Sequence, residues 1–170
     1  MDHGVFPHIS SVNHLLSPIV LSQIYRADLA IATTRLALLD SAIEGQRANA
    51  DFYSRTLKLD SGMLCSERPG TFYNRYLYPI TFPSSEDRDF IAAYLHRRQI
   101  GTMQPYKDIA DVAAAHYGYS GDCPAAEQIA KKVLVIPSNY SLRKKDIQHI
   151  AQCLNAGWAE ITSRDHSARL

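Results

Sequence analysis

The 170-residue chain is poor in the features that usually announce a function. Its three cysteines, Cys65, Cys123 and Cys153, are far apart and show no C-x-x-C spacing. That excludes a zinc ribbon or a disulfide framework and fits the reduced thiols of a cytosolic protein. No apolar run approaches the ~20 residues needed to span a bilayer. Residues 1 to 16 carry no basic segment followed by an apolar core, so a cytoplasmic protein without a membrane partner is expected. A net charge of +1 gives no electrostatic reason to expect nucleic acid as a partner. There is no Gly-rich phosphate loop, no G-x-S-x-G and no H-E-x-x-H. His3, His8 and His14 do not share one helix face, so no metal site is expected. Lysine is scarce too. Lys58, Lys107, Lys131, Lys132, Lys144 and Lys145 are the full set, and four of them form adjacent pairs. None stands in the apolar strand-to-loop setting that desolvates a nucleophilic lysine, so no catalytic residue is expected in this chain.

What is present is an ordinary globular composition, 46% hydrophobic and 21% charged, at a length that supports one domain with a real core. Residues 1–17 read as a polar, irregular lead-in, 18–162 as a single domain and 163–170 as a frayed tail. From Pro18 to about Leu59 the pattern is helical almost throughout. Leu36, Ile43, Ala50 and Leu57 recur every seven residues with Leu39 and Tyr53 between them, as a packed helix seam requires. Gly45 falls on the opposite side, where it costs ~1 kcal/mol against alanine.

Residues 61–83 read as two strands around Pro69-Gly70. Met63 and Cys65 alternate on the first, and Tyr76, Tyr78 and Ile80 on the second. Ser84 or Ser85, followed by Glu86 and Asp87, starts a helix that turns Phe90, Ile91, Tyr94 and Leu95 inward and stops at Gly101. A strand beginning at Thr102 breaks at Pro105 into a long loop reaching Tyr119. Gly121-Asp122 then makes a turn, Pro124 takes the first helical position, and Glu127 suits the positive end of the helix. That helix feeds directly into the buried run Val133-Leu134-Val135-Ile136. The closing helix begins near Ser141 and buries Ile147, Ile150, Leu154, Trp158 and Ile161, leaving His149 to solvent. The order α-α-β-β-α-β-α-β-α predicts an α/β (α+β) fold, a small sheet with helices packed on one side.

Three of these stretches, in order and spacing, resemble the C-terminal part of the DegT/DnrJ/EryC1/StrS aminotransferases. They are Leu36-Ala37-Leu38-Leu39-Asp40 with Arg47, Ala50 and Tyr53; Gly121-Asp122-Cys123-Pro124-Ala125-Ala126-Glu127 with Val133-Leu134-Val135-Ile136-Pro137-Ser138; and Ser141-Leu142-Arg143-Lys144-Lys145-Asp146-Ile147. The resemblance implies the small domain of a fold-type I pyridoxal-phosphate enzyme that transfers amino groups onto nucleotide-linked sugars. It assigns Asn13 to the cofactor phosphate of a neighbouring subunit, although Leu15 replaces the arginine the family places two residues later. An ungapped reading puts Leu21 and Gln23 at those positions instead. It places Gln104 and Tyr106 nearest the family's substrate-facing His-Tyr, with the histidine lost.

In that family the Schiff-base lysine, the acidic partner of the pyridine nitrogen and most phosphate contacts lie in a larger preceding domain. The resemblance therefore implies that pyridoxal phosphate is held only together with a partner domain. Two readings follow. In the first, the chain is one half of a divided aminotransferase and needs a second chain carrying the lysine domain. In the second, it is a stand-alone binding or assembly module, self-sufficient or homo-oligomeric through helices 18–59. A segment of a longer enzyme is a third possibility.

Overall fold

The computed structural model describes residues 25–167, so the lead-in, Asn13 and the start of the expected helical stretch lie outside the described residues. The chain divides into two compact units, Met1–Leu39 and Asp40–Leu170. In the first, α1 (Arg26–Ala37) places Asp28 in its first turn and Arg35 in its last, as the helix dipole favours. None of its side chains is buried, although Leu29, Ile31 and Leu36 are all apolar. The helical pattern expected from Pro18 to about Leu59 is divided into two helices at Leu38, in keeping with the two helices that open the expected order. There φ is −99° and ψ 2°, and the N–H turns back to Arg35 O in a tighter ring.

The second unit takes in all of α2 (Leu39–Thr56) after its first residue. The seven-residue seam is core only in its second half: Ala50, Tyr53 and Leu57 are buried, whereas Leu39 is 46% exposed. Gly45 has a more specific job than the sequence indicated. A Cβ built there would sit 2.9 Å from Cβ of Tyr140, so the glycine lets α2 approach that turn.

Two strands, β1 (Tyr78–Thr81) and β2 (Val133–Ile136), pair antiparallel with Tyr78 opposite Ile136 and Ile80 opposite Leu134. Those four residues share one face by the period of two, and all are buried. Against that face lie Ala50 and Tyr53 of α2, Ile91 and Leu95 of α3 (Ser85–His96), and Ile147, Ile150, Ala151, Leu154 and Ile161 of α6 (Lys144–Ser167). The other two expected strands are each reduced to one bridge. Leu64 pairs with Ile80 and Met103 with Val135, both antiparallel, so the four segments lie side by side in the order 64, β1, β2, 103.

The first of these fails to extend because other groups claim its backbone. Met63 closes a short 3₁₀ turn, Ser61–Met63, and Arg75 takes a left-handed φ of 57° that no ladder accommodates. The segment 65–75 is held instead by side chains. Glu67 accepts from the Tyr73 N–H at 2.9 Å and faces Arg47 of α2 at 3.1 Å, Arg47 bonds Tyr73 O, and Arg75 donates to Cys65 O at 2.8 Å. The Tyr73 N–H, with help from Arg47 and Arg75, holds the Glu67 carboxyl below the usual carboxylate range.

Helix α3 starts as expected: Ser84 Oγ accepts from the Asp87 N–H at 3.0 Å. Its end is not set by Gly101. Gln99 takes the left-handed turn at φ 61°, and Ile100 N–H returns to Leu95 O. The long loop expected before Tyr119 contains a helix, α4 (Ile109–Tyr117), stopped by Gly118 at φ 69°. Ala110, Ala113, Ala114 and Ala115 followed by a glycine was the available signal. Next, α5 (Pro124–Lys132) opens with proline as expected. The closing helix begins at Lys144, behind a two-point ion pair of Arg143 with Asp146 (2.7 and 2.9 Å), and runs to Ser167, into the stretch expected to fray.

Tyr53 ties these layers together. It is fully buried, its ring lies 5.1 Å from that of Tyr78, and its hydroxyl donates to Pro137 O at 2.7 Å. Burial, reinforced by Tyr78, pushes the Tyr53 hydroxyl far above its ordinary value, and burial also raises Tyr78. Both groups are neutral when folded, so the stability they lend is complete below the unfolded tyrosine value of ~10 and is lost as pH rises beyond it. The urea midpoint is expected to fall steeply between pH ~10 and ~12, and less steeply in Tyr53→Phe. A midpoint that is flat over this range would contradict the burial of the pair.

Candidate functional site

The second face of the sheet carries Pro79, Thr81, Val133 and Val135, and it is not covered by α2, α3 and α6. Instead α4 and α5 border it and leave a groove of about 540 Å³. Val135 is buried at its floor, while Ile129 (56% exposed) and Tyr106 (70%) stand at its rim. None of its lining side chains is an acid, a lysine or an arginine. Its only side-chain polar groups are the hydroxyls of Tyr73 and Tyr106, and burial raises the first of these. The groove can bury apolar surface and exclude water, but it offers no acid–base pair.

The expected substrate-binding residues divide. Tyr106 lines the groove, and it does so at a left-handed φ of 64° that a bulky residue adopts only at a cost. Gln104 turns away, its Nε2 donating to Oδ1 of Asp89 on α3 at 3.3 Å. The same oxygen lies 2.7 Å from Nε of Arg88, out of hydrogen-bond line, and Nη1 of this buried arginine has no partner among the described residues. Tyr117 is exposed, whereas Tyr119 serves the fold. Its hydroxyl donates to Glu127 at 2.7 Å and accepts the Cys123 N–H at 3.0 Å, closing the start of α5. The bond to Glu127 is the main reason the Tyr119 hydroxyl titrates above its usual range. Glu127, expected only to complement the helix dipole, thus also anchors the preceding turn.

Sequence reasoning missed the groove because its wall is assembled from residues far apart in the chain. The one local sign was β2 itself, whose run Val-Leu-Val-Ile is apolar on both faces.

The described residues do not fit pyridoxal phosphate by themselves. Five of the six lysines are exposed, and only Lys132 is half-buried. Lys132 lines a shallow cavity of about 490 Å³ with Gly62, Thr81, Phe82, Gln128 and Ile129. That lining supplies no carboxylate for the ring nitrogen and no arginine for the phosphate, which a lysine-held pyridoxal site requires. Among the described residues no group of three or more His, Cys, Asp or Glu is placed to hold a metal. No described helix is long and apolar enough to cross a membrane.

A small antiparallel sheet with a helix layer on one face and an apolar groove on the other defines a small α/β domain. The sequence profile of the DegT/DnrJ/EryC1/StrS aminotransferase family matches residues 22–155, and the chain belongs to that family. Among solved structures it is similar to the aminotransferase TlmJ from Streptoalloteichus hindustanus, at 26% identity and a TM-score of 0.69, over 77% of this chain and 35% of that one. It is similar to DesV from S. venezuelae, solved in complex with a ketimine intermediate, at 27% identity and a TM-score of 0.66, over 77% and 35% of the two chains. The sugar aminotransferase CalS13 from Micromonospora echinospora shares the fold at 24% identity and a TM-score of 0.65, over 76% and 34%. The chain thus spans about a third of the length of the structures it matches. No curated protein matches it in sequence.

Proposed function

We propose that this chain is the small domain of a pyridoxal-phosphate-dependent sugar aminotransferase, inactive alone and completed by a lysine-bearing domain supplied from a second chain. The observation that carries this reading is the pairing of a family match over residues 22–155 with lysines that are exposed or lack cofactor partners. A nucleophilic lysine works only when it is desolvated and positioned, and the rest of the cofactor's contacts must come with it. When bound in the completed enzyme, the cofactor would serve as the electron sink for amino-group transfer. The sugar as substrate class is supported by the likeness to CalS13, itself a sugar aminotransferase. Tyr106 at the groove rim is the residue of this chain we assign to the substrate side, and Gln104 would reach it only by leaving Asp89.

Titration of the purified chain with pyridoxal phosphate tests the first half of this reading. No saturable visible band is expected, and borohydride reduction should leave no single lysine labelled. A saturable band abolished by Lys132→Ala would show that the chain holds the cofactor by itself.

A second reading, a stand-alone binding or assembly module, is favoured by the closed core of the Asp40–Leu170 unit. It requires the chain to be complete in function with no lysine-bearing partner.

A further inference from the structure

We propose that the outer surface where the end of α3 meets the second half of α6 is a docking site for an acidic, carboxylate-rich segment of another protein. The inference is independent of how the cofactor is held.

Three arginines meet here on two aromatic rings. The rings of Phe90 and Tyr94, both on α3, lie 6.0 Å apart. The guanidinium carbon of Arg98 sits 3.5 Å from the centre of the Tyr94 ring, and that of Arg97 sits 5.9 Å from the same ring. The guanidinium carbon of Arg164, from α6, sits 4.8 Å from the centre of the Phe90 ring. Tyr94 is buried and Phe90 half-buried, so the rings are held in place while all three arginines are exposed. A guanidinium stacked on a fixed ring has lost much of its freedom before any ligand arrives, and its in-plane N–H groups stay available at its edge.

The fold uses these cations only in part. Arg98 Nη1 donates to Tyr94 O at 3.0 Å, closing a carbonyl left open at the end of α3. Arg164 pairs with Glu160 on its own helix at 2.5 Å. Among the described residues, no carboxylate lies within ion-pair distance of Arg97 or Arg98, and Arg97 makes no side-chain hydrogen bond either. Positive charge is therefore in excess, and it is already oriented.

The surface selects among anions. Nucleic acid is favoured by open aromatic faces on which bases stack, whereas here guanidinium groups cover the rings, in a chain whose net charge is only +1. A small phosphate ester needs a concave seat, and the three arginines line neither of the cavities described above. Carboxylates spaced along a peptide need only exposed guanidinium edges, each of which can take one carboxylate in a two-point contact.

The test uses the full 170-residue chain and two labelled probes, a short oligoglutamate and an oligothymidylate of equal charge. Binding is followed by fluorescence anisotropy in about 20 mM and about 200 mM salt. The variants are Arg97→Glu and Arg164→Glu in the patch, and Arg55→Glu in the last turn of α2, which changes the net charge by the same amount. Circular dichroism confirms that each variant folds; none of the three side chains is buried.

The expected result is saturable binding of oligoglutamate at low salt that weakens at high salt. Arg97→Glu and Arg164→Glu should each weaken it about tenfold or more, and Arg55→Glu should leave it within about twofold. An equal loss with Arg55→Glu would reduce the effect to net charge and overturn the patch as a site. Tighter binding of oligothymidylate than of oligoglutamate would assign the surface to nucleic acid and overturn the proposed partner. No binding of oligoglutamate at low salt would overturn the proposal outright.

Discussion

Replacing Phe82 by alanine is expected to remove about 3–5 kcal/mol of folding stability, a large part of what a domain of this size possesses. Phe82 is 1% exposed and follows β1 directly, where its N–H donates to Lys132 O at 3.0 Å and so extends the β1–β2 pairing by one bond. Its ring lies 5.7 Å from that of Trp158 on α6, tilted by 57°. Truncation therefore opens a cavity between the sheet and α6 and deletes an aromatic pair, two losses at one site. The surrounding helices are tied to one another elsewhere and can collapse only in part. Trp158 is the sole tryptophan, so urea unfolding followed by its fluorescence reads both the stability and the local change. Phe82→Leu should retain more than half of the lost stability, because it keeps most of the volume. A loss under about 1 kcal/mol for Phe82→Ala would mean that the sheet end and α6 are not packed as described.

Gly157→Leu should be strongly destabilising. A Cβ at Gly157 would lie 2.9 Å from Cδ1 of Tyr94, 3.1 Å from Cδ1 of Ile91 and 3.2 Å from Cγ of Tyr94. Ile91 is fully buried and Tyr94 is 8% exposed, so neither has open space to enter. A helical glycine gives up about 1 kcal/mol against alanine, and here that deficit is offset by the close contact of α3 with α6. Leucine adds three further carbons to a position that cannot take one. Overpacking of this kind costs about 1–3 kcal/mol, and more where backbone must move. The decisive measurement is a double-mutant cycle: Tyr94→Ala frees the space, so Gly157→Leu should cost markedly less in that background than alone. Equal costs in the two backgrounds would place the strain somewhere other than the α3–α6 contact.

These two sites show what was and was not legible in the sequence. The inward face of α6 was, because Ile147, Ile150, Leu154 and Ile161 recur at helical spacing and all four are buried. So was the start of α3, written by Ser84 and its acidic first turn, and β2, bounded by α5 and Pro137. The need for Gly157 was not, since it arises from Tyr94 and Ile91 on another helix. Gly45, which reads as a weak point in α2, has the same kind of cause in Tyr140. The shortening of the edge strands to bridges at Leu64 and Met103 was hidden as well. Local alternation reports that a segment can be a strand, whereas Glu67, Arg47 and Arg75 decide where its backbone bonds go.

The candidate site divides in the same way. By resemblance the sequence alone pointed to the family, because family likeness is carried by residue type and spacing. Gln104 and Tyr106, adjacent but for Pro105, looked equivalent in the sequence. Only the tertiary structure separates them, turning Gln104 to Asp89 of α3 and setting Tyr106 on the groove rim. The groove itself is wholly a tertiary object. Pro79, Ile129 and Val135 lie far apart along the chain and become one surface only when β1 and β2 pair in their observed register, since a slip of one residue would turn Val133 and Val135 into the core and Leu134 and Ile136 outward. Periodicity determined the inward face of each element; the register and the close helix contacts, which depend on residues distant in sequence, decided which apolar face was left open.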